Sequence, residues 1–302
     1  MKDTNNRSSK SGFVAIVGLP NVGKSTLVNK LTETDLCIVS SRPQTTRNMI
    51  SVILTLPNAQ IIFQDTPGFH EAKTALNQAF VDSVLKTIKL TDIILLVIEP
   101  NPRHDDQFEE IERLVTKSQK PTILVINKID TLDQKSADAL IISRSSGSLF
   151  NSVVGTSALT GDNCDLLLNK VIELLPAGPF LYGEEDLSNM PERFFAEELI
   201  REQILKLLGQ EIPHKTAVTV EAFKEVGNRI LIQANIHVER DSQKKILIGR
   251  GGSMIKNIGM LAREKIQEFL NSPVRLELFV KVSPNWTKNT NKLKEFGYLD
   301  SR

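Results

Sequence analysis

Gly18-Leu19-Pro20-Asn21-Val22-Gly23-Lys24-Ser25 places two glycines, a lysine and a hydroxyl at the spacing a phosphate cradle requires. The glycines let backbone N–H groups turn inward around phosphate oxygens, and a helix starting at the lysine adds its dipole. There Lys24 neutralises the β- and γ-phosphates and Ser25 offers its hydroxyl to Mg2+, with Thr26 in the same turn. Asp65-Thr66-Pro67-Gly68 follows the apolar run Ile61 to Phe63. Asp65 therefore stands at a strand's carboxyl end, where it can hold a Mg2+-bound water, and Gly68 can present its N–H to the γ-phosphate. Asn127-Lys128-Ile129-Asp130 caps another apolar run. The Asp130 carboxylate can accept from both the ring N–H and the exocyclic amine of guanine, a pair adenine lacks. Leaving it unpaired in a buried site costs about 1 to 3 kcal/mol, which favours GTP over ATP by at least roughly tenfold. Ser157-Ala158, after a further strand, can supply a backbone N–H to the guanine O6.

These elements, in this order and each at a strand end, resemble the translation-factor-related GTPases. Gln44-Thr45-Thr46-Arg47-Asn48, between the glycine loop and Asp65, looks like the effector segment of the Era family. The resemblance assigns Mg2+ ligation to Thr46. The implied catalytic set is Lys24, Thr46, Asp65, Gly68 and Asn21, and the implied metal set is Ser25, Thr46 and Asp65, the last through water. Phe69 stands where many GTPases place a glutamine that orients the attacking water, a task a phenyl ring cannot perform. Era-like proteins share this replacement. The resemblance implies a potassium ion near Asn21 in its stead, with carbonyls of the polar segment Ser40 to Thr45 completing an oxygen cage.

Positioning these residues calls for a parallel sheet. Short β-branched runs recur at Phe13 to Val17, Met49 to Thr55, Ile61 to Phe63, Ile93 to Ile98, Thr122 to Ile126 and Ser152 to Thr156. Helical stretches at Ser25 to Leu31 and Gln107 to Thr116 follow strands at crossover length, which predicts a doubly wound, mostly parallel α/β domain over residues 13–176. Around Leu175 to Pro191 the pattern gives way to proline and acidic residues, predicting a linker over 177–190.

A smaller α+β domain over 191–302 is expected next, in the order α-β-β-α-α-β: an amphipathic helix from about Glu192 to Leu208, strands Thr216 to Phe223 and Ile230 to His237, two helices, and a strand Val274 to Val282. Ile248-Gly249-Arg250-Gly251-Gly252 joins the helix pair, the second helix running from Ser253 to Leu270, and with this order it resembles a type II KH domain. The resemblance implies that a phosphodiester backbone touches the loop N–H groups, with Arg250 and Lys256 near phosphates and Lys244, Lys245 and Lys281 around a groove for about four unstacked bases. Val280-Lys281-Val282, Trp286 and Gly297-Tyr298 resemble the end of Era proteins, where Trp286 is expected as a stacking platform.

Charge agrees with that division. Up to Asn189 the chain holds 18 basic and 22 acidic residues, and from Met190 on 19 and 14. From Glu239 onward there are 13 basic and 7 acidic residues, a concentration suited to a polyanion. Cys37 and Cys164 have neither metal-site spacing nor disulfide density, which fits a reducing compartment. The longest apolar runs are about a third of the roughly 18 residues a membrane span needs. Met1 to Gly12 is expected to be a disordered leader, with no apolar segment of a secretory signal. Family resemblance adds a GTP- and Mg2+-dependent, slow GTPase that binds near the 3′ end of small-subunit (16S) ribosomal RNA and assists assembly of that subunit. It also adds a cytoplasmic location with loose attachment to the inner membrane face, a monomeric state and no DNA partner. Two rivals stay open from sequence: a binding switch that exchanges GTP without hydrolysing it, and another ribosome-assembly GTPase subfamily or an ATPase with a chance Asn-Lys-Ile-Asp.

Overall fold

Six strands form the first sheet, in the order β2-β3-β1-β4-β5-β6. They are β1 (Lys10–Val17), β2 (Ile50–Leu56), β3 (Ala59–Asp65), β4 (Ile93–Ile98), β5 (Thr122–Ile126) and β6 (Ser152–Gly155). All pairings are parallel except the β2–β3 hairpin. β3, β4 and β5 are buried along their whole length, as continuous apolar strands covered on both faces must be. Helices α1 (Lys24–Thr32), α2 (Ala75–Leu90), α3 (Asp106–Lys117), α4 (Gln134–Ser145) and α5 (Cys164–Leu174) follow or link them. In α3, Phe108, Ile111 and Val115 make the buried stripe, one residue per turn. This computed structural model describes residues 9–40, 42, 44–69, 74–101, 106–146, 149–209 and 211–299.

By its contacts the chain divides into two compact units. One comprises Met1–Cys37, Thr46–Glu71 and Phe80–Asn189; the other comprises Ile38–Thr45, Ala72–Ala79 and Met190–Arg302. In the second, α6 (Glu192–Leu207), β7 (Thr216–Val226), β8 (Arg229–Val238), α7 (Asp241–Ile248), α8 (Ser253–Leu270), β9 (Val274–Val282) and a short α9 (Thr290–Glu295) surround a single core. β8 pairs antiparallel with β7 and parallel with β9. Ile258, Ala262 and Ile266 form the inner stripe of α8, and a Cβ on Gly259 would reach Leu278 Cδ1 at 3.4 Å, so the glycine keeps α8 close to β9.

Three expectations need correction. Lys10 to Gly12, expected within a leader over 1–12, belong to β1, where Lys10 pairs with Ala59; residues 1–8 lie outside the described residues. The segment expected as a linker over 177–190 is bound to the first unit through residue 189. Leu181 and Tyr182 donate their N–H groups to Gln60 Oε1 at 2.7 and 3.0 Å, and Ile53 donates to the Leu187 carbonyl at 2.9 Å. It covers the β2 edge, whose open N–H and C=O groups would otherwise invite pairing with another chain. Finally, the helix opening the second unit is buried on more than one face: Glu198, Arg201, Glu202 and Gln203 are buried along with Ile200 and Ile204.

Candidate functional site

β1 ends at Val17 and α1 begins at Lys24, so the glycine loop occupies the strand-to-helix turn. Gly23 has φ +93°, and a Cβ there would meet Asn127 Nδ2 at 2.3 Å. Only glycine allows both the backbone angle and that approach. Lys24 is buried, and its Nζ donates to the carbonyls of Gly18 and Leu19 at 3.1 and 2.9 Å. Burial lowers its pKa to about 8, against the opposing charge of Asp65.

Ser25, Thr46 and Asp65 meet. Ser25 Oγ donates to Asp65 Oδ2 at 2.6 Å, the Ser25 and Thr46 hydroxyls lie 2.8 Å apart, and Thr46 Oγ1 donates to the same carboxylate oxygen at 3.3 Å. Asp65 is fully buried, and its Oδ1 has no hydrogen-bond partner. Burial raises the carboxyl pKa, against the lowering effects of Ser25, Lys24 and Thr46. Two hydroxyls and a buried carboxylate with an unsatisfied oxygen fit a hard, oxygen-seeking cation such as Mg2+. Thr66 Oγ1 donates to the Ile16 carbonyl at 2.7 Å, fastening the segment after Asp65 to β1. Gly68 packs on Pro20, where a Cβ would approach Pro20 Cα to 2.9 Å. The Phe69 ring is buried in the core with Val17, Val84 and Leu96, so it does not take the place of a water-orienting glutamine.

Asn127, which the sequence places in the base-reading motif, is also a clamp. Its Nδ2 donates to the Val22 carbonyl at 2.8 Å, and its Oδ1 accepts from Ala158 N–H at 2.9 Å. One side chain thus ties the glycine loop to the Ser157-Ala158 turn. The Ala158 amide would have to be shared to reach a guanine oxygen, and the Ser157 amide is held by the Asp162 carbonyl at 3.1 Å. Lys128, at φ +66°, donates to the Asn21 carbonyl at 2.7 Å and pairs with Glu99 at 3.2 Å. Asp130 is exposed, so the penalty expected for leaving it unpaired in a buried site does not operate until a base covers it.

The expected potassium cage changes as well. The Thr45 carbonyl accepts from Arg201 and the Arg42 carbonyl from Thr45 Oγ1, so two of its carbonyls already have donors. Ser41 and Pro43 lie outside the described residues. Gln44, at φ +60°, donates to Asn77 Oδ1 at 3.2 Å. Arg47 is buried and Asn48 half-buried.

In the second unit α7 ends at Ile248, and Gly249, Gly251 and Gly252 all have positive φ. A Cβ on Gly249 would meet Met254 N at 2.8 Å, whereas Gly251 and Gly252 face open space. Arg250, Lys245 and Lys256 are exposed and Lys244 half-buried. Lys281 does not join them. Its neighbours Val280 and Val282 pack into the core under the helices, so Lys281 lies on the opposite face of the sheet, in register with His237. Trp286 is also corrected: it is fully buried, donates Nε1–H to the Lys215 carbonyl at 3.0 Å, and packs against Phe296 and Tyr298. It staples its own domain and offers no platform. Beside it, His237 bridges Thr219 and Ser283, and burial lowers its pKa to about 4. Among the described residues no helix is long and apolar enough to cross a membrane.

Comparison with known proteins follows the same division. Residues 13–128 match the family described as 50S ribosome-binding GTPase, and residues 211–287 match the KH domain. The chain is 47% identical to GTPase Era of Geotalea daltonii over 95% of its own length and 97% of that protein's. It is 41% identical to GTPase Era of Ruminiclostridium cellulolyticum, covering 98% and 99%. A crystal structure of Era with MgGDPNP and nucleotides 1506–1542 of 16S ribosomal RNA superposes with a TM-score of 0.92 at 37% identity, over 96% of this chain and 99% of that one. A variant of Aquifex aeolicus Era bound to GDP and AlF4- gives the same TM-score, identity and coverage.

Proposed function

The chain belongs to the Era family of GTPases, and from that premise we propose that it binds Mg2+ and GTP at the Ser25–Thr46–Asp65 cluster, hydrolyses GTP slowly, and grips single-stranded RNA near the 3′ end of 16S ribosomal RNA. The meeting of those three side chains carries the reading. Ser25 and Thr46 would ligate Mg2+ directly and Asp65 would hold one of its waters; the ion would supply charge neutralisation at the β- and γ-phosphates.

Within the chain, Lys24 exchanges its two carbonyl partners for phosphate oxygens, and Gly68 N–H meets the γ-phosphate. Asn127 holds the loop and the base turn at fixed separation, and Asp130 reads guanine. Phe69, inside the core, cannot orient the attacking water as a glutamine at that position would, and slow turnover follows. Asn21, its carbonyl occupied by Lys128, has its side-chain amide left to support a potassium ion.

RNA runs over Gly249–Gly252, where backbone N–H groups and Arg250, Lys244, Lys245 and Lys256 meet phosphates. The biological role we assign is assistance in small-subunit assembly, by a cytoplasmic protein that associates weakly with the membrane surface. The test is a titration of a 16S 3′-end oligonucleotide against the full chain loaded with a non-hydrolysable GTP analogue. Saturable binding that a scrambled oligonucleotide fails to match supports the reading; equal binding of both sequences opposes it.

A further inference from the structure

Ile98 and Ile126 are register partners at the ends of β4 and β5, and the Asn127 N–H extends that ladder to the Ile98 carbonyl at 2.8 Å. Just beyond, Glu99 leaves β4 and Lys128 follows Asn127, so the sheet delivers the two side chains to one place. Lys128 Nζ lies 3.2 Å from Glu99 Oε2 and donates to the Asn21 carbonyl at 2.7 Å. Beside it, Asn127 Nδ2 holds the Val22 carbonyl at 2.8 Å. Two consecutive side chains thus hold two consecutive carbonyls of the glycine loop, and the lysine is backed by a carboxylate. Asn21, Glu99, Lys128 and Asp130 all belong to the first unit.

Asn21 and Lys128 both have left-handed backbones, at φ +63° and +66°. Asparagine visits that region readily; a lysine stays there only where its surroundings over-determine it. The main chain does so at Lys128. Its carbonyl accepts from Thr131 N–H and Oγ1 at 3.1 and 2.7 Å, and the Ile129 N–H donates to the Thr156 carbonyl at 3.1 Å. The side chain is a compact charge on a flexible four-carbon stem, which a single carbonyl fixes poorly. Glu99 supplies a second acceptor. With the two side chains 39% and 38% exposed, the pair adds little to folding stability. What it supplies is a direction for Lys128 Nζ.

We propose that Glu99 is a positioning residue that sets how long nucleotide stays bound: by keeping Lys128 Nζ on the Asn21 carbonyl, it ties the phosphate-binding loop to the turn that carries Asp130, so that both ends of the site open together. This deepens the reading of the glycine loop and Asp130 as the GTP site, and rests on it. Neither tied residue is one of the three that would hold Mg2+, so GDP and GTP are retained alike.

The experiment follows dissociation of fluorescent GDP and of a fluorescent non-hydrolysable GTP analogue from the full chain, chased with unlabelled nucleotide at fixed Mg2+. Glu99→Gln keeps the shape and drops the charge; at low salt it should release both nucleotides about three- to fivefold faster, by the same factor. Glu99→Asp, which keeps the charge on a shorter stem, should fall between the parent and Glu99→Gln. Because the pair is exposed, sodium chloride screens it, and the ratio of Glu99→Gln to parent rates should shrink toward one as salt rises. In a Lys128→Met background Glu99→Gln should add nothing. Parent-like release by Glu99→Gln, faster release of one nucleotide alone, a ratio indifferent to salt, or full additivity with Lys128→Met would each overturn the proposal. If Lys128→Met binds no nucleotide, the salt series on Glu99→Gln decides. A parent that binds neither GDP nor the analogue fails the reading of the site and takes the proposal with it. If the parent binds both and Glu99→Gln releases them at the parent's rate, only the Glu99 proposal fails.

Discussion

The hydroxyl oxygens of Ser25 and Thr46 lie 2.8 Å apart, and both bond Asp65 Oδ2. Ser25 heads α1 and Thr46 lies in the loop before β2, so two elements converge on one buried carboxylate oxygen. Replacing either hydroxyl, as Ser25→Ala or Thr46→Ala, should raise the Mg2+ concentration needed for GTP-analogue binding by at least about tenfold, equivalent to roughly 1.4 kcal/mol. Binding measured by analogue fluorescence across a Mg2+ titration checks this. A midpoint unmoved in both variants removes the metal assignment.

Lys24 predicts a pH dependence. With its pKa lowered to about 8 by burial, the free protein loses the Lys24 charge as pH rises through 8. Phosphate favours the charged form, so binding above that pH must take up a proton. Nucleotide affinity should therefore weaken toward tenfold per pH unit above about 8, until the lysine pKa of the complex is reached. The folding sign is opposite: between 8 and the ordinary value of 10.5 the unfolded chain holds more protons, so the nucleotide-free fold gains stability with pH. Calorimetry in buffers of different ionisation enthalpy reads the proton count directly. No proton uptake at pH 9 contradicts the assignment.

Gly251 and Gly252 have positive φ but open space beside them, so Gly251→Asp with Gly252→Asp adds backbone strain without a clash. Two carboxylates would then stand where phosphates pass. Affinity for the 3′-end oligonucleotide should fall at least tenfold, with GTP affinity unchanged. Parent-like RNA binding by this variant across a salt titration would count against the Gly249–Gly252 loop as the RNA site.

The glycine loop, Asp65, Asn127 and the Gly249–Gly252 loop were legible in sequence because each depends on residue types at short, fixed spacing and on a strand or helix end. The mostly parallel character of the first sheet followed from apolar runs at crossover length, while its strand order is read from the structure alone. What was not legible depends on partners distant in the chain. The Gln60 side chain captures the backbone at Leu181 and Tyr182, which turns an apparent linker into a strap. Arg201 is buried on a helix expected to be amphipathic because Glu198 and the Thr45 carbonyl, the latter far away in sequence, enclose it. Trp286 and Lys281 were misplaced because sequence alone did not say which face of the second sheet α9 and its flanking residues cover. Helices α2, α4 and α5 also escaped notice, lying between strands where composition alone gave no clear period.

Potassium should accelerate hydrolysis more than sodium, through Asn21. With Phe69 turned into the core where a glutamine would orient the attacking water, a monovalent cation can stabilise charge developing on the leaving oxygen, and even a tenfold gain requires only about 1.4 kcal/mol. The Asn21 carbonyl is held by Lys128, so the side-chain amide should carry the effect. Single-turnover rates in matched potassium and sodium chloride, for the parent and Asn21→Ala, decide it: the parent should differ between salts and the variant should not. Equal parent rates in both salts end the proposal.

The most direct test of the account is phosphate release by the purified full chain with GTP and with ATP in Mg2+. The Ser25–Thr46–Asp65 cluster, the guanine-reading Asp130 and the displaced Phe69 together predict slow, guanine-specific turnover, within a few tens-fold of ~10⁻⁴ to 10⁻³ s⁻¹ for GTP, with ATP at least roughly tenfold poorer. Turnover of GTP at tens per second, or ATP hydrolysed as readily as GTP, would contradict it.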